Sequence, residues 1–168
     1  MKAYFGIIFA TLLVFAGISQ AENYAYNNKG RQMNDSLSAS KTLAEGAKFL
    51  QKNRSEAGVQ ALDNGVQYKV LVAGSGAVPK ASDSVTVMYE GKLIDGTVFD
   101  SSYSRKQPAT FRVDQVIQGW QSALQKMPQG STWMLYIPAD LAYGARGVPG
   151  VIPPNSVLIF KVELQKIG

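Results

Sequence analysis

From Val66 onward the sequence returns again and again to one pattern: a short run in which every second residue is apolar, ended by glycine or proline. Val66, Tyr68, Val70 and Val72 alternate with Gln67, Lys69 and Leu71; Val85, Val87 and Tyr89 alternate with Thr86, Met88 and Glu90. Trp133, Leu135 and Ile137 repeat the spacing, and Leu158, Phe160, Val162 and Leu164 do so again, with Ile159, Lys161 and Glu163 facing out. A period of two puts alternate side chains on opposite faces of a strand, so each run is a half-buried strand. Thr97–Asp100 and Ala109–Val113 supply shorter ones. Asp95-Gly96, set between two apolar runs, predicts a two-residue hairpin turn of type I′ with positive φ at both central residues. Closely spaced strands without long helical crossovers predict an antiparallel sheet. No internal repeat is present.

One segment breaks the alternation. Val116-Ile117-Gln118-Gly119-Trp120 reads as extended chain that turns at Gly119 into a short helix. Trp120, Leu124 and Met127 fall at i, i+4 and i+7, which places the indole on the buried side. The C-terminal region is therefore expected to be α+β, with five or six antiparallel strands wrapped around one short helix.

The N-terminal part is built differently. Lys2, the apolar run Tyr4–Ile18 and the small residues of Ser19-Gln20-Ala21 have the build of a cleavable secretory leader over residues 1–21. The run is shorter than the ~20 residues needed to span a bilayer, so no stable membrane span is expected after cleavage. Periplasmic export is the expected destination, with outer-membrane association or secretion as variants of it. Glu22–Ser36 is polar and Asn-rich and is read as a flexible lead. From Ser38 to Arg54, Leu43, Ala47 and Leu50 mark a short amphipathic helix, in which Gly46 costs ~1 kcal/mol relative to alanine. Such a helix must dock on the domain or on a second chain. A boundary at about residue 58 separates this region, 22–58, from a folded domain over 59–168. A monomer or a weak homodimer through the helix is expected.

Composition narrows the chemistry. The chain has 168 residues, a net charge of +5, no cysteine and no histidine. That excludes disulfides, thiol nucleophiles, imidazole bases and nearly all transition-metal sites, and no cofactor is expected. A hydrolase built on Ser101 or Ser102 with Asp100 would lack its base. The lysines and arginines are scattered rather than gathered into a basic stripe with exposed aromatics, so no nucleic-acid partner is expected.

Apolar groups nevertheless stand where loops should be polar. Phe99 ends a strand, Tyr143 lies in the long loop from Pro138 to Asn155, and Val151-Ile152 precedes Pro153-Pro154. With Tyr89, Phe111, Trp120 and Phe160 they would form a half-open aromatic cup. Its few polar members would be Asp100, Arg105, the hydroxyls of Tyr89 and Tyr143 and backbone N–H groups near Ile117. Apolar walls with a few convergent polar groups are the ordinary form of a small-molecule or peptide site.

Tyr89-Glu90-Gly91, Asp95-Gly96, Phe99-Asp100-Ser101-Ser102, Val116-Ile117-Gln118-Gly119-Trp120, Ala142-Tyr143-Gly144 and Ile152-Pro153-Pro154-Asn155 occur in an order that resembles FK506-binding-protein domains. Those domains are peptidyl-prolyl cis–trans isomerases, and the likeness covers about residues 60–168. Pro108-Ala109-Thr110-Phe111, Gly130-Ser131-Thr132-Trp133 and Ile137 to Gly144 look most like the bacterial macrophage infectivity potentiator branch. The resemblance implies a twisted antiparallel half-barrel around one helix. It also implies a pocket of Tyr89, Phe99, Asp100, Arg105, Phe111, Val116, Ile117, Trp120, Tyr143, Val151, Ile152 and Phe160. Ala109 stands where many eukaryotic relatives have phenylalanine, which opens one wall, and Val148 lies in a loop where the family varies. The implied partners are proline-containing, unfolded exported polypeptides, with tacrolimus and rapamycin as inhibitors.

Rotation about an X–Pro bond faces a barrier of ~18–20 kcal/mol from amide resonance, and no covalent bond need break. No nucleophile or general base is required, so a site without histidine or cysteine is suited to it. Trp120 is expected beneath the proline ring, with Phe99, Val116, Ile117 and Phe160 as walls. The Ile117 N–H and the Tyr143 hydroxyl would hold carbonyls, and Asp100, held by Arg105 and Tyr89, would orient polar groups. The alternative is a periplasmic peptide-binding chaperone with little isomerase activity.

Overall fold

A computed structural model describes residues 20–168. The leader expected over residues 1–21 lies outside the described residues except for Gln20 and Ala21, which open the first helix. That helix, α1, runs from Gln20 to Asn53. No helix among the described residues is long and apolar enough to cross a membrane.

The chain divides into two compact units, one ending at Asp35 and one spanning Ser36–Gly168. Among its described residues the first is helical throughout, with Tyr24, Tyr26 and Met33 exposed. Glu22–Ser36 is thus helix and not a flexible lead. Starting a helix is the costly step, whereas each further residue adds a hydrogen bond of its own. The segment from Ser38 onward is held by tertiary contacts, so the Asn-rich stretch needs only to extend a helix already fixed.

Within the second unit, α1 closes on the sheet and on the long loop. A Cβ on Gly46 would lie 2.8 Å from Val157 Cγ2, so the glycine that weakens the helix permits its close approach. The Phe49 ring is 6.0 Å from that of Tyr136, and the Asn155 side chain donates to Ala39 O at 3.2 Å. Asn53 and Gln67 side chains bond to each other at 2.8 Å, and Gln67 also donates to Leu50 O at 2.9 Å. Both residues are buried; the Asn53 amide donates to Gln67 Oε1, and the Gln67 amide in turn donates to the helix backbone.

Seven antiparallel strands follow: β1 (Val59–Ala61), β2 (Gln67–Val72), β3 (Ser84–Leu93), β4 (Val98–Ser101), β5 (Ala109–Arg112), β6 (Thr132–Ile137) and β7 (Leu158–Ile167). Their order is β1-β2-β6-β7-β3-β4, with β5 also on β3, beside β4. The strand beyond the expected six is β1, whose three residues are too few to show a period. The turn after β3 differs from the type I′ expected. Only Gly96 has positive φ, at 90°, and Leu93 N donates to Thr97 O across Ile94-Asp95-Gly96. That is a three-residue loop with its left-handed residue last, and the Asp95 carboxylate steadies it by accepting from Thr97 N at 2.8 Å.

Two short helices complete the fold: α2 (Ser102–Arg105) and α3 (Gln118–Leu124). Trp120, Ala123, Leu124 and Met127 bury the inner side of α3 and its end against Val85, Val87, Leu135, Val162 and Leu164 of the sheet. Helix and sheet approach so closely that a Cβ on Gly119 would fall 2.3 Å from Ile137 Cγ2. Alternation holds along β3, β6 and most of β7, with two exceptions. Val70, Leu71 and Val72 are all exposed, because β2 runs past the end of β1 and shifts register against β6. Ile159, expected to face out, is buried. It pairs with Tyr136, on the face against which Phe49 of α1 packs.

Candidate active site

The concave side of the sheet and the start of α3 enclose a cavity of about 360 Å³, open to solvent. Its lining is Tyr89, Phe99, Asp100, Phe111, Gln115, Val116, Ile117, Trp120, Tyr143 and Phe160. Most positions follow from an element already described. Tyr89 and Phe160 come from the inward-facing sets of β3 and β7, which run side by side with Tyr89 opposite Val162. Phe99 and Asp100 come from β4, Phe111 from β5, and Trp120 from the first turn of α3.

The floor is a set of rings meeting edge to face. Trp120 stands at 88° to Tyr89, 89° to Phe111 and 83° to Phe160, with centroids 5.5, 6.0 and 5.3 Å apart. Phe99 meets Phe160 at 87° and 5.6 Å. Edge-to-face rings place the positive edge of one on the negative face of another, which fixes their positions better than area burial does. Trp120 is buried, and its Nε1–H has no hydrogen-bond partner among the described residues. The indole therefore serves as a hydrocarbon plate and not as an anchored donor.

On one side the floor gives way to a polar rim. The Tyr89 hydroxyl donates to Asp100 Oδ2, Arg105 Nη1 donates to Asp100 Oδ1 at 2.6 Å, and Arg105 Nη2 donates to the Tyr89 oxygen at 3.1 Å. Burial alone would raise the Asp100 pKa, but the bonds from Tyr89 and Arg105, with the guanidinium charge, hold it below the ordinary aspartate value. The Tyr89 phenol is pushed up, first by burial and then by its bond to the carboxylate. Asp100 is thus a fixed anion across the neutral range, and Tyr89 a fixed donor. Helix α2 puts Arg105 there: Ser101 Oγ caps it by accepting from Ser104 N at 3.2 Å, and left-handed Lys106, at φ 52°, ends it.

On the opposite side, Ile117 is the N-cap of α3, and its carbonyl accepts from the N–H groups of Trp120 and Gln121. Its own N–H has no backbone partner among the described residues. The Gln121 side chain donates to Val116 O at 2.8 Å and pins that turn. Tyr143, 41% exposed, reaches the cavity from the long loop.

The structure gathers nine of the expected residues around the cavity and sets three apart. Arg105 stands behind Asp100 instead of lining the cavity. Val151 and Ile152 line a neighbouring groove of about 410 Å³ with Leu93, Arg146 and Val148. There the Val148–Ile152 bridge turns the loop back on itself, and Ile152 is buried in the core. Ala109 packs on the core beside the floor. Gln115 was not expected at the cavity. It follows Asp114 in a single 3-10 turn, whose three residues carry no period, and only its adjacency to Val116 could have pointed to it.

Comparison with known proteins adds an independent line. The sequence model described as "FKBP-type peptidyl-prolyl cis-trans isomerase" matches residues 76–165. One described as "Domain amino terminal to FKBP-type peptidyl-prolyl isomerase" matches residues 16–70. "Peptidyl-prolyl cis-trans isomerase Mip" of Coxiella burnetii is 58% identical over 119 residues, covering 71% of this chain and 52% of that protein. "Outer membrane protein MIP" of Legionella longbeachae is 56% identical over 129 residues, covering 77% and 55%. The chain thus spans about half the length of the curated relatives it matches. The crystal structure of FkpA from Escherichia coli superposes with a TM-score of 0.81 at 40% identity, over 90% of this chain and 74% of that one.

Proposed function

The chain belongs to the FKBP-type peptidyl-prolyl cis–trans isomerases, and from that premise we propose that it accelerates rotation about X–Pro bonds in exported polypeptides. The observation that carries this reading is the cavity itself: a floor of aromatic rings, edged by a fixed carboxylate and a few donors. The proline ring lies on Trp120, between Phe99, Val116, Ile117 and Phe160. Removing the amide from water disfavours its charge-separated planar form, and a site shaped for the twisted amide binds the transition state more tightly than either ground state. The Ile117 N–H and the Tyr143 hydroxyl hold the flanking carbonyls. Asp100, kept ionised and oriented by Arg105 and Tyr89, provides the one strong field at the rim. No step transfers a proton.

In this reading residues 59–168 form the isomerase domain and residues 22–58 an appended helical region. Tacrolimus and rapamycin occupy the same floor as proline. Export to the periplasm is supported by the build of residues 1–21 and by the printed name of the Legionella relative. A second reading, a peptide-holding chaperone with little isomerase activity, is favoured by the exposed Tyr24, Tyr26, Met33 and Leu37 of α1. Those residues also suit a weak homodimer through the helix.

A protease-coupled assay separates the readings. Acceleration of Leu-Pro and Phe-Pro peptides, about tenfold or more over Glu-Pro and abolished by tacrolimus, is the expected result, since an apolar wall discriminates by ~1–3 kcal/mol. Binding of the peptides without acceleration would establish the holding function instead.

A further inference from the structure

Strand β3 has a gap along one edge. β4 pairs with Glu90, Gly91 and Lys92, and β5 pairs with Ser84 to Val87, which among the described residues leaves Met88 and Tyr89 with no strand beside them on that edge. Tyr89 is the residue whose hydroxyl holds Asp100, so the gap falls where the rim most needs a fixed backbone. A single side chain fills it. The Tyr89 N–H donates to Ser102 Oγ at 2.7 Å, and Ser102 Oγ lies 3.2 Å from Tyr89 O and 3.7 Å from Met88 Sδ. Its one proton goes to the carbonyl, the better acceptor, so one hydroxyl supplies both bonds that a neighbouring strand would give. Ser102 is fully buried, at 0% exposure. It also opens α2, the helix that carries Arg105, and follows Asp100 by two residues.

We propose that Ser102 is a positioning residue for the isomerase reaction: its hydroxyl clamps the Asp100–Arg105 segment to the backbone of Tyr89 and so sets the geometry of the polar rim. This rests on the isomerase reading above. Ser102 does not face the cavity and touches no substrate. Its effect passes through Tyr89 and Asp100. Without the hydroxyl, the buried Tyr89 N–H loses its partner, and β3 and α2 lose the bond that fixes their spacing. The phenol then no longer meets the carboxylate squarely. The groups facing Asp100 are Tyr89 from β3 and Arg105 from α2, with Tyr143 across the cavity. Weakening the first two lets burial raise the carboxyl pKa toward the ordinary value.

The test compares Ser102→Ala with wild type, and Ser102→Cys serves if the alanine variant does not fold. Two quantities are read: kcat and KM on a Leu-Pro peptide, and the Asp100 carboxyl titration followed by carbon-13 NMR from pH 2 to 6. The expected result is a kcat lower by about tenfold with KM changed by less than about twofold, since the apolar floor is intact. The Asp100 titration should move up in pH, and Ser102→Thr, which keeps the hydroxyl, should restore the wild-type titration. Val66→Ala, a change at a core residue outside the cavity lining, should lower the unfolding midpoint and leave the titration in place. A folded Ser102→Ala or Ser102→Cys protein with wild-type kcat and wild-type Asp100 titration overturns the proposal. Absence of isomerase activity in the wild-type protein would instead overturn the isomerase reading, and the titration would still decide whether Ser102 sets the rim.

Discussion

The floor of the cavity and its rim lie a few ångströms apart and are held by different forces. Trp120, Phe111 and Phe160 are rings packed edge to face, and no hydrogen bond from the described residues fixes the indole. Asp100 and Arg105 keep 40% and 52% of their side-chain surface in water and owe their positions to charge and hydrogen-bond direction. Ring packing is not screened by salt, whereas an exposed ion pair is, and yields only modest energy. The floor therefore carries stability and affinity together. The rim carries orientation, and damage to it should spare the fold.

The sharpest way to test that division is Trp120→Ala. Emptying the floor should cost about 3–5 kcal/mol in urea unfolding and remove measurable peptide turnover, because Trp120 belongs to the core and to the cavity at once. Near-normal stability in this variant would place the indole outside the core. Next in size is Asp100→Leu. It removes a charged acceptor from Tyr89 and Arg105 and should lower kcat/KM by about tenfold while the unfolding midpoint barely moves. A large stability loss here would erase the distinction between floor and rim. Tyr143→Phe should have a smaller effect, a two- to fivefold loss in kcat/KM, since one neutral hydrogen bond is removed and the ring stays.

The smallest effect expected is that of pH. The Asp100 pKa is depressed in the folded protein, so its contribution to stability is complete above the ordinary aspartate value and disappears as pH falls through the lower folded one. Tyr89 is displaced upward, away from neutrality. kcat/KM should therefore stay level from about pH 5.5 to 8.5, and solvent deuterium should hardly alter it. A bell-shaped profile near neutrality would introduce a proton transfer and contradict rotation alone.

What could be read from the sequence follows the same division. Floor residues are large, apolar and periodic: Tyr89, Trp120 and Phe160 each sit at the spacing that buries them. Asp100 and Arg105 could be named, but the short helix that joins them has four residues and no period. Ser102 enters the sequence reading only through a hydrolase that would lack its base, because a hydroxyl that replaces strand pairing leaves no trace in composition. Ile159 was misplaced since alternation describes one sheet, whereas its burial depends on α1, which is remote in sequence. Val151 and Ile152 sit in a stretch whose path is fixed by the Val148–Ile152 bridge, which no local pattern announces.

The strand order also has a consequence for when the protein can fold. β7 is the last element of the chain, yet it lies between β6 and β3 and joins the half of the sheet bearing β1, β2 and β6 to the half bearing β3, β4 and β5. Even Gly168 takes part, exchanging backbone bonds with Ser84 in both directions. A chain emerging N-terminus first, from a ribosome or a translocation channel, has no bridging strand until residues 158–167 are free. Its two three-stranded half-sheets must wait unjoined, each without the long-range pairing that closes the core. Closure of the full sheet therefore waits on β7, and the two halves become one sheet only when that strand is available.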